Sequence, residues 1–319
     1  MRDAELTEVI EQTRALLTER YVFDGIAREI SELLARRLRD HQYPLAEAAL
    51  AEAVTSDLQS VNGDKHLRLI YHDEELAPRA PGDDAAETAA LAQWADRTCG
   101  GVACVRRLPG NVGYLDLRPV LFRAAEYAEV VASAMTVLAL ADALVLDLRH
   151  CLGGDPAMVT FIISYLWGDE PAQLSGLRAR DGQLTQAWTQ PHVPGRRFGQ
   201  VKPVYVLTSG TTFSGGEQLA FDLRELGRAT LVGERIRGGA NARDGFVVHP
   251  HLEAAIPVVE AVSPRSGGNW EGTGVAPDVE VPAGEACEAA YRLALRDVAG
   301  GAGPCAAEAR AELDSLGRQ

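Results

Sequence analysis

Lysine is nearly absent from this sequence, which contains only Lys65 and Lys202, so that arginine carries almost all of the basic charge. The 31 basic residues are outnumbered by 45 acidic ones, and the net charge at pH 7 is −14. An acidic chain of this kind is repelled by nucleic acid and by anionic membrane surfaces, so we expect neither as a main partner. Any mechanism that needs a lysine base has only two positions to draw on.

Long apolar runs are missing as well. The N-terminal residues MRDAELTEVIEQ are charged and lack the apolar core of a secretory signal. No apolar run approaches the ~20 residues of a membrane-spanning helix, so we expect a soluble, cytoplasmic protein. The 5 cysteines show no CxxC spacing, which argues against a zinc site or a disulfide framework. Without a phosphate- or dinucleotide-binding glycine motif either, the sequence predicts no metal and no cofactor.

The N-terminal region reads as helical. Apolar residues recur at helical spacing through about the first 60 positions, and three amphipathic helices of this length predict a small bundle. A turn at Asn62-Gly63 leads into HLRLIYH, which alternates like a strand. We delimit a helical bundle plus first strand at residues 1–75 and a polar, partly helical connection at 76–100.

Strands and helices alternate from residue 101 onward. A β-hairpin is predicted around Pro109-Gly110-Asn111, and the buried-type strands ALVLDLR and VKPVYVLTS are each followed by a helical pattern. This alternation predicts an α/β core over residues 101–298. The last segment, residues 299–319, is expected to be a C-terminal helix or tail.

The segment LTSGTTFSGGE joins a strand to a helix, and Ser214 within it has two interpretations. With Glu217 three residues later, it forms the pattern of a capping box. A serine at a helix N-terminus beside two glycines is also a suitable nucleophile. The two interpretations do not exclude each other.

Three further segments carry groups suited to acyl transfer. GDKHL places His66 at the start of a strand, DLRHCLGGDPA ends a strand in Gly153-Gly154, and NWEGTGVAPDVEV holds Glu271 in a glycine-rich loop. Taken singly, these residues also fit a packed histidine, a tight turn and a solvated carboxylate. Together with Ser214 they supply the hydroxyl, imidazole, carboxylate and backbone N–H groups that acyl transfer requires.

The order of these motifs resembles the serine peptidase family of C-terminal (tail-specific) processing proteases, which includes the tricorn protease core and interphotoreceptor retinoid-binding protein. LTSGTTFSGGE, followed by GRATLVGE and preceded by VLDLRHCLGGDPA, carries the likeness. RYVFDGIAREI, GDKHLRLIY, PGNVGYLDLR and NWEGTGVAPDVEVP are most similar to the retinoid-binding branch. The resemblance covers roughly residues 5–298 and implies a crotonase- or ClpP-like β-β-α spiral core.

The resemblance also implies roles for individual residues. Ser214 takes the place of the nucleophile, and the backbone N–H of Gly215 that of one oxyanion-hole donor. Gly153 or Gly154, in the family's double glycine, would supply the second donor. The neighbouring Cys151 replaces a small or polar residue, and we favour a packing role for it over one in the pocket.

Two departures from the family pattern matter. Processing proteases use a Ser-Lys dyad, but their lysine position falls on Gly239 in GERIRGGAN, and the nearby Arg237 stays protonated and cannot act as a base. The tricorn-like branch uses Ser, His and Glu, so the resemblance implies His66 as base and Glu271 as the carboxylate that orients it. Only about 40 residues separate the His66 strand from the hairpin, too few for the family's PDZ domain.

The expected function is a serine hydrolase of the peptidase type, acting on a peptide or on a small amide or ester. If the cleft excludes water, the acyl group could pass to an amine, which would make the protein a ligase or cyclase. The alternative from another class is a non-catalytic module that binds an apolar ligand such as a retinoid or fatty acid. The sequence names neither the substrate nor the oligomeric state, and a homo-oligomer is compatible with it.

Overall fold

The computed structural model describes residues 1–76 and 85–318. Within them the helices are α1 (Asp3–Arg20), α2 (Asp24–Arg39), α3 (Glu47–Gln59), α4 (Ala85–Arg97), α5 (Ala124–Leu138), α6 (Pro156–Leu166), α7 (Gly215–Glu225), α8 (Ala286–Ala299) and α9 (Pro304–Leu316). The strands are β1 (Arg68–Tyr71), β2 (Val102–Leu108), β3 (Val112–Leu117), β4 (Ala143–Asp147), β5 (Gln173–Ala179), β6 (Leu184–Trp188), β7 (Val204–Thr208), β8 (Thr230–Gly233), β9 (Ala242–His249), β10 (Leu252–Val262) and β11 (Val279–Glu280).

Helices α1 to α3 form the predicted N-terminal bundle. Each contributes an apolar stripe to one shared core, because a helix that is half polar must bury its apolar face on a neighbour. The fully buried members of that core include Ile10, Leu17, Ile30, Leu34 and Leu50. The predicted fold class, an α/β core preceded by a helical bundle, is confirmed.

A six-stranded sheet, in the order β11–β8–β7–β4–β3–β2, forms the centre of the remaining chain. All neighbours are parallel except the β2–β3 hairpin, which is antiparallel. In β4, Leu144 and Leu146 face the core shared with α5, α6 and α7, whereas Ala143 and Val145 face α8. Burial on both faces explains why this strand reads as a continuous apolar run.

The parallel pairing of β4 with β7 decides where the site lies. Leu144 pairs with Val204 and Asp147 with Leu207, so the two strands end at the same edge of the sheet. The loop after β4 contains the double glycine, and the loop after β7 leads to Ser214. Two segments some sixty positions apart in sequence are thereby brought side by side.

A second, antiparallel sheet connects the bundle to the rest of the chain. Its order is β1–β10–β5–β6, with β9 on the other edge of β10. Strand β1 pairs with β10 through Arg68↔Ala255, and Leu252, Ala254 and Ile256 of β10 belong to the core of the bundle. The division into separate units at residue 75 stays a prediction.

The remaining predicted elements differ only in their bounds. Strand β1 begins at Arg68, so that His66 precedes the strand instead of starting it. Strand β6 lies within the region 180–200 and pairs with β5. In the 76–100 connection α4 covers the second half, and residues 77–84 lie outside the described residues. No helix of the described chain combines the length and apolar character needed to cross a bilayer.

Tyr21, at the end of α1, attaches the bundle to the segment that carries His66. Its buried hydroxyl donates to Asp64 Oδ2 at 2.9 Å and accepts from Asn62 Nδ2 at 2.7 Å. We predict that Tyr21→Phe lowers the free energy of unfolding by about 1–3 kcal/mol, because the buried Asp64 and the half-buried Asn62 each lose a hydrogen bond. Urea unfolding measures this. Tyr71→Phe is the matched control, since Tyr71 is an exposed tyrosine, and equal stabilities for the two variants would contradict the prediction.

Candidate active site

Ser214 lies at the N-cap of α7 in a strained backbone conformation. Its φ of 51° and ψ of −120° fall in a region that non-glycine residues rarely adopt. Such strain costs on the order of 1–3 kcal/mol and is found mainly at functional sites. The Ser214 side chain makes no cap hydrogen bond, so its hydroxyl is available at the mouth of a cleft.

The carboxylate of Glu217 holds this conformation in place. Glu217 is completely buried and accepts the N–H of Ser214 at 2.8 Å, which is the return arm of the predicted capping box. The same carboxylate accepts the N–H groups of Gly238 at 2.6 Å and Gly239 at 2.9 Å. Burial raises the pKa of Glu217, and the three N–H donors oppose that shift. One buried carboxylate therefore ties the serine to the loop after β8.

Neither position of the double glycine after β4 can accommodate a side chain. Gly153 and Gly154 have φ values of 126° and 124°. A Cβ on Gly153 would lie 2.9 Å from Ser214 Cβ, and one on Gly154 would lie 2.1 Å from the Leu121 carbonyl oxygen. The N–H of Leu121 donates to Gly153 O at 2.8 Å, and Leu121 O accepts from Asp155 N at 2.8 Å. These bonds fix the glycine loop against Leu121, next to Ser214.

Three backbone N–H groups adjoin the serine without a partner among the described residues: those of Gly153, Gly154 and Gly215. Gly215 is the first residue of α7, where no intrahelical acceptor exists. A Cβ on Gly215 would lie 3.0 Å from Gly154 N, so these two amides are close neighbours. Unpaired N–H groups beside a hydroxyl are the structural requirement for holding an oxyanion.

His66 lines the same cleft as Ser214, which has a volume of about 400 Å³. The histidine is 8% exposed, and its ring stacks on Phe213 with a centroid distance of 4.5 Å. Its Nδ1 is buried without a hydrogen-bond partner in the described chain. Burial, followed by the positive charges of nearby arginines, lowers the pKa of His66 to about 4. The structure brings His66 and Ser214 to one cleft but forms no hydrogen bond between them.

Glu271 lies close to His66 and forms no hydrogen bond with Ser214 in the described residues. Its Oε1 accepts the N–H of Lys65 at 3.1 Å, and its Oε2 accepts those of Ala240 at 2.6 Å and Asn241 at 3.1 Å. Burial and the charge of Asp64 raise the pKa of Glu271. Glu271 thus joins the segment before β1, which carries the histidine, to the loop before β9.

Asp64 is a site residue that the sequence reasoning missed. It is fully buried and accepts the main-chain N–H of His66 at 3.0 Å and the Asn241 side-chain amide at 3.0 Å. Ligand-type atoms of Asp64, His66 and Glu271 lie within 4.8 Å of one another. These residue types can also bind metals, but here the carboxylate oxygens accept hydrogen bonds from the protein. The only sequence signal for Asp64 was its position two residues before His66 in GDKH.

The structure also shows where Cys151 and Gly239 lie. Cys151 is fully buried, burial raises the pKa of its thiol to about 12, and it does not line the cleft. A Cβ on Gly216 would lie 3.0 Å from the Cys151 sulfur, so this side chain packs beneath the start of α7. Gly239 faces the Phe213–His66 stack: a Cβ there would lie 2.3 Å from Phe213 Cε2 and 2.9 Å from His66 Cε1.

We predict that Gly239→Ala destabilises the protein by about 1–3 kcal/mol, because the added methyl overlaps two packed rings. Gly268→Ala is the matched control, since nothing lies within 4 Å of a Cβ at that position. Thermal unfolding of the two variants measures the difference. If Gly239→Ala melts at the same temperature as Gly268→Ala, the rings are not packed against residue 239 as described.

More than half of the chain matches a known family. Residues 111–281 match the model of peptidase family S41. Residues 2–98 match the N-terminal domain of Peptidase_S41 in eukaryotic IRBP. Between β1 and β2 the described residues contain α4 and one short 3-10 turn, and no PDZ-like domain.

Solved structures share the fold at low sequence identity. The photosystem II D1 C-terminal processing protease aligns with a TM-score of 0.53 and 16% identity, over 89% of this chain and 94% of that one. A CPAF mutant gives 0.60 and 10%, over 89% and 94%. The tricorn protease gives 0.55 and 15%, over 98% of this chain but 36% of tricorn. With both segments of the family matched in order, the chain belongs to peptidase family S41 and is a serine peptidase.

Proposed function

We propose that the protein hydrolyses peptide bonds with Ser214 as nucleophile, His66 as general base and Glu271 as the carboxylate that positions the base. The observation that carries this proposal is the strained Ser214 backbone at the start of α7, packed against the double-glycine loop. A structural N-cap has no need of a positive φ, whereas a nucleophile must project from its helix into the cleft.

The proposed oxyanion hole consists of the N–H of Gly215 and that of Gly154 or Gly153. These amides have no protein acceptor in the described residues and adjoin the serine, so they are free to stabilise the charge that develops on the substrate carbonyl oxygen. Loss of one such donor typically lowers kcat by ~10²–10³. The hydrogen bonds to Leu121 hold the loop before the substrate arrives, so that little reorganisation is needed.

His66 is the proposed base because it is neutral at pH 7 and shares the cleft with Ser214. It takes the proton of the serine hydroxyl and then gives it to the leaving amine. In processing proteases a lysine stands at the position of Gly239. Here the Phe213 and His66 rings fill the space that a side chain at 239 would enter, which supports an exchange of lysine for histidine.

Glu271 is the proposed positioning carboxylate. It binds the main chain on both sides of the histidine, at Lys65 before it and at Ala240 and Asn241 across from it. Glu271 and Asp64 each have a carboxylate oxygen within 4.8 Å of a ring nitrogen of His66, where a negative charge would stabilise the imidazolium that forms in the transition state. Attack then gives an acyl-enzyme, and water releases the acid.

Labelling with a fluorophosphonate probe tests the nucleophile. We expect the wild type to be labelled, whereas Ser214→Ala abolishes labelling and His66→Ala lowers its rate by ~10² or more. Ser133→Ala, on the exposed side of α5, is the matched serine control and should label normally. A wild type that resists the probe but binds retinoid or fatty acid tightly would instead identify an apolar-ligand carrier. Product analysis with an added amine separates hydrolysis from ligation or cyclisation.

The pH dependence of labelling tests the base. Because the pKa of His66 is lowered to about 4, below its ordinary value near 6.5, the histidine stays neutral and competent down to about pH 5. We expect the labelling rate to hold from pH 7 to pH 5 and to fall through pH 4. A midpoint near 6.5 would contradict a base whose pKa is lowered by the folded protein.

The same shift predicts a loss of stability in acid. Between about pH 6.5 and pH 4 the unfolded chain binds a proton at this histidine and the folded chain does not, so stability falls as the pH falls through that window. The pKa shift to about 4 corresponds to about 3 kcal/mol. Urea unfolding at pH 7 and pH 4.5 measures it, and His66→Gln should remove most of this component.

A further inference from the structure

Three arginines lie near His66, and one of them lines the cleft. Arg68 follows the histidine by two residues on β1, and Arg243 on β9 lines the cleft itself. The guanidinium carbon of Arg237 lies 4.6 Å from the ring centroid of Phe213, the ring on which His66 stacks. We call Arg68, Arg237 and Arg243 the arginine rim.

The second sheet places two of these side chains on one face. Arg68 pairs with Ala255 across one edge of β10, and Arg243 pairs with Pro257 across the other edge. Residues two apart on a strand share a face, and cross-strand partners point the same way. Arg68 and Arg243 therefore project from the same side of the sheet, on either side of β10.

The arginine rim is poorly neutralised by the protein. Arg243 pairs with Glu253 at 2.5 Å, and Glu253 is shared with His72 at 3.2 Å. Within the described residues, Arg68 and Arg237 have neither an ion pair nor a side-chain hydrogen bond. Asp64, which is buried, and Glu271, which is half-buried, lie near His66 and already accept hydrogen bonds from N–H donors of the chain.

The arginines repel one another and affect neighbouring groups. Burial, and then the charges of Arg237 and Arg243, lower the pKa of Arg68. Burial, and then the charges of all three arginines, lower the pKa of His66. In a chain with a net charge of −14, three cations kept together beside His66 with Glu253 as their one paired acid among the described residues form a site that a bound anion would stabilise.

We propose that the arginine rim binds a carboxylate of the substrate on the leaving-group side of the scissile bond; this rests on the proposed function. His66 must deliver a proton to the leaving amine, so groups that adjoin His66 face the part of the substrate that leaves. Guanidinium groups bind carboxylates through two parallel hydrogen bonds and stay charged at all working pH values. The preferred substrates are peptides with a carboxylate within about two residues after the cleaved bond, a span of roughly 7 Å.

That carboxylate has two chemical sources, an acidic side chain or the free C-terminus of the peptide. Matched peptides distinguish them: Glu or Gln at the first and second positions after the scissile bond, each with a free or an amidated C-terminus. Preference that follows Glu over Gln identifies a side-chain carboxylate. Preference that follows the free over the amidated end identifies release of short C-terminal fragments.

Cleavage of these peptides by the wild type, followed by mass spectrometry, is the test. In each pair that shows a preference, we expect kcat/KM for the peptide with the carboxylate to exceed that for its neutral counterpart on the order of tenfold. The ratio should shrink at 1 M salt, where the screening length falls to about 3 Å. Comparing two peptides within one enzyme cancels any general change in activity.

Variants locate the effect. Arg68→Gln and Arg237→Gln should each reduce the acidic-to-neutral ratio, and the double variant should bring it to within about twofold of unity. Arg235→Gln is the matched control: it lies in the same loop and removes the same charge, but its guanidinium binds the Thr273 carbonyl. It should keep the wild-type ratio. A ratio that survives the double variant, or that falls equally in the control, overturns the arginine rim.

The two proposals fail in different ways. A wild type that cleaves both members of every pair equally overturns the arginine rim and leaves the hydrolase intact. A wild type that neither cleaves peptides nor reacts with a fluorophosphonate overturns the proposed function. In that case fluorescence polarisation with the same peptides, labelled at the N-terminus and bound to Ser214→Ala, still decides the arginine rim: tighter binding of the acidic member supports it, and equal binding refutes it.

Discussion

The interaction on which the rest of the site depends is the buried carboxylate of Glu217. It accepts three main-chain N–H groups, one from Ser214 and two from Gly238 and Gly239. The first bond holds the serine in its strained conformation, and the other two bring in the loop whose missing side chain leaves room for the His66 and Phe213 rings. Because one carboxylate accepts hydrogen bonds from three donors on two segments, the backbone conformation of Ser214 and the space for the His66 ring depend on the same group. A helix cap and the proposed nucleophile can therefore coexist at one residue.

The arrangement of the site also depends on the parallel sheet. Because β4 and β7 are neighbours and run in the same direction, their loops meet at one edge, and the double glycine reaches Ser214 at van der Waals distance. No larger residue fits there, so the amides that adjoin the serine are held by the same close packing that excludes side chains. The cleft then takes its remaining wall from the other sheet, through His66 before β1 and Arg243 in β9.

Much of this could be predicted from the sequence, for reasons that are local. Helical spacing of apolar residues predicted the bundle, the alternation of strand and helix patterns predicted the α/β core, and the turn residues predicted the β2–β3 hairpin. Ser214, Gly153 and Gly154 stood out as glycine-rich strand-to-helix junctions, and the resemblance to the processing proteases implied their roles. Asp64 and the role of Glu217 beyond its helix could not be found in this way, since their partners (Tyr21, Asn241 and Gly238 among them) are distant in sequence. Nor does any local pattern show that β1 pairs with β10, or that a ring stack occupies the space beside Gly239.

That pairing of β1 with β10 has a consequence for the order in which the protein is made. Ser214 and its glycine loop belong to strands that lie between β1 and β10 in the chain, whereas His66 is held by contacts with segments on both sides of them. A ribosome-bound chain that ends before residue 252 has its serine but no partner strand for β1, and one that ends before Glu271 lacks the carboxylate that binds beside the histidine. The proposed base therefore comes into position only when nearly the whole chain has emerged. On the proposed mechanism, an unfinished chain contains Ser214 but lacks the segments that hold its base.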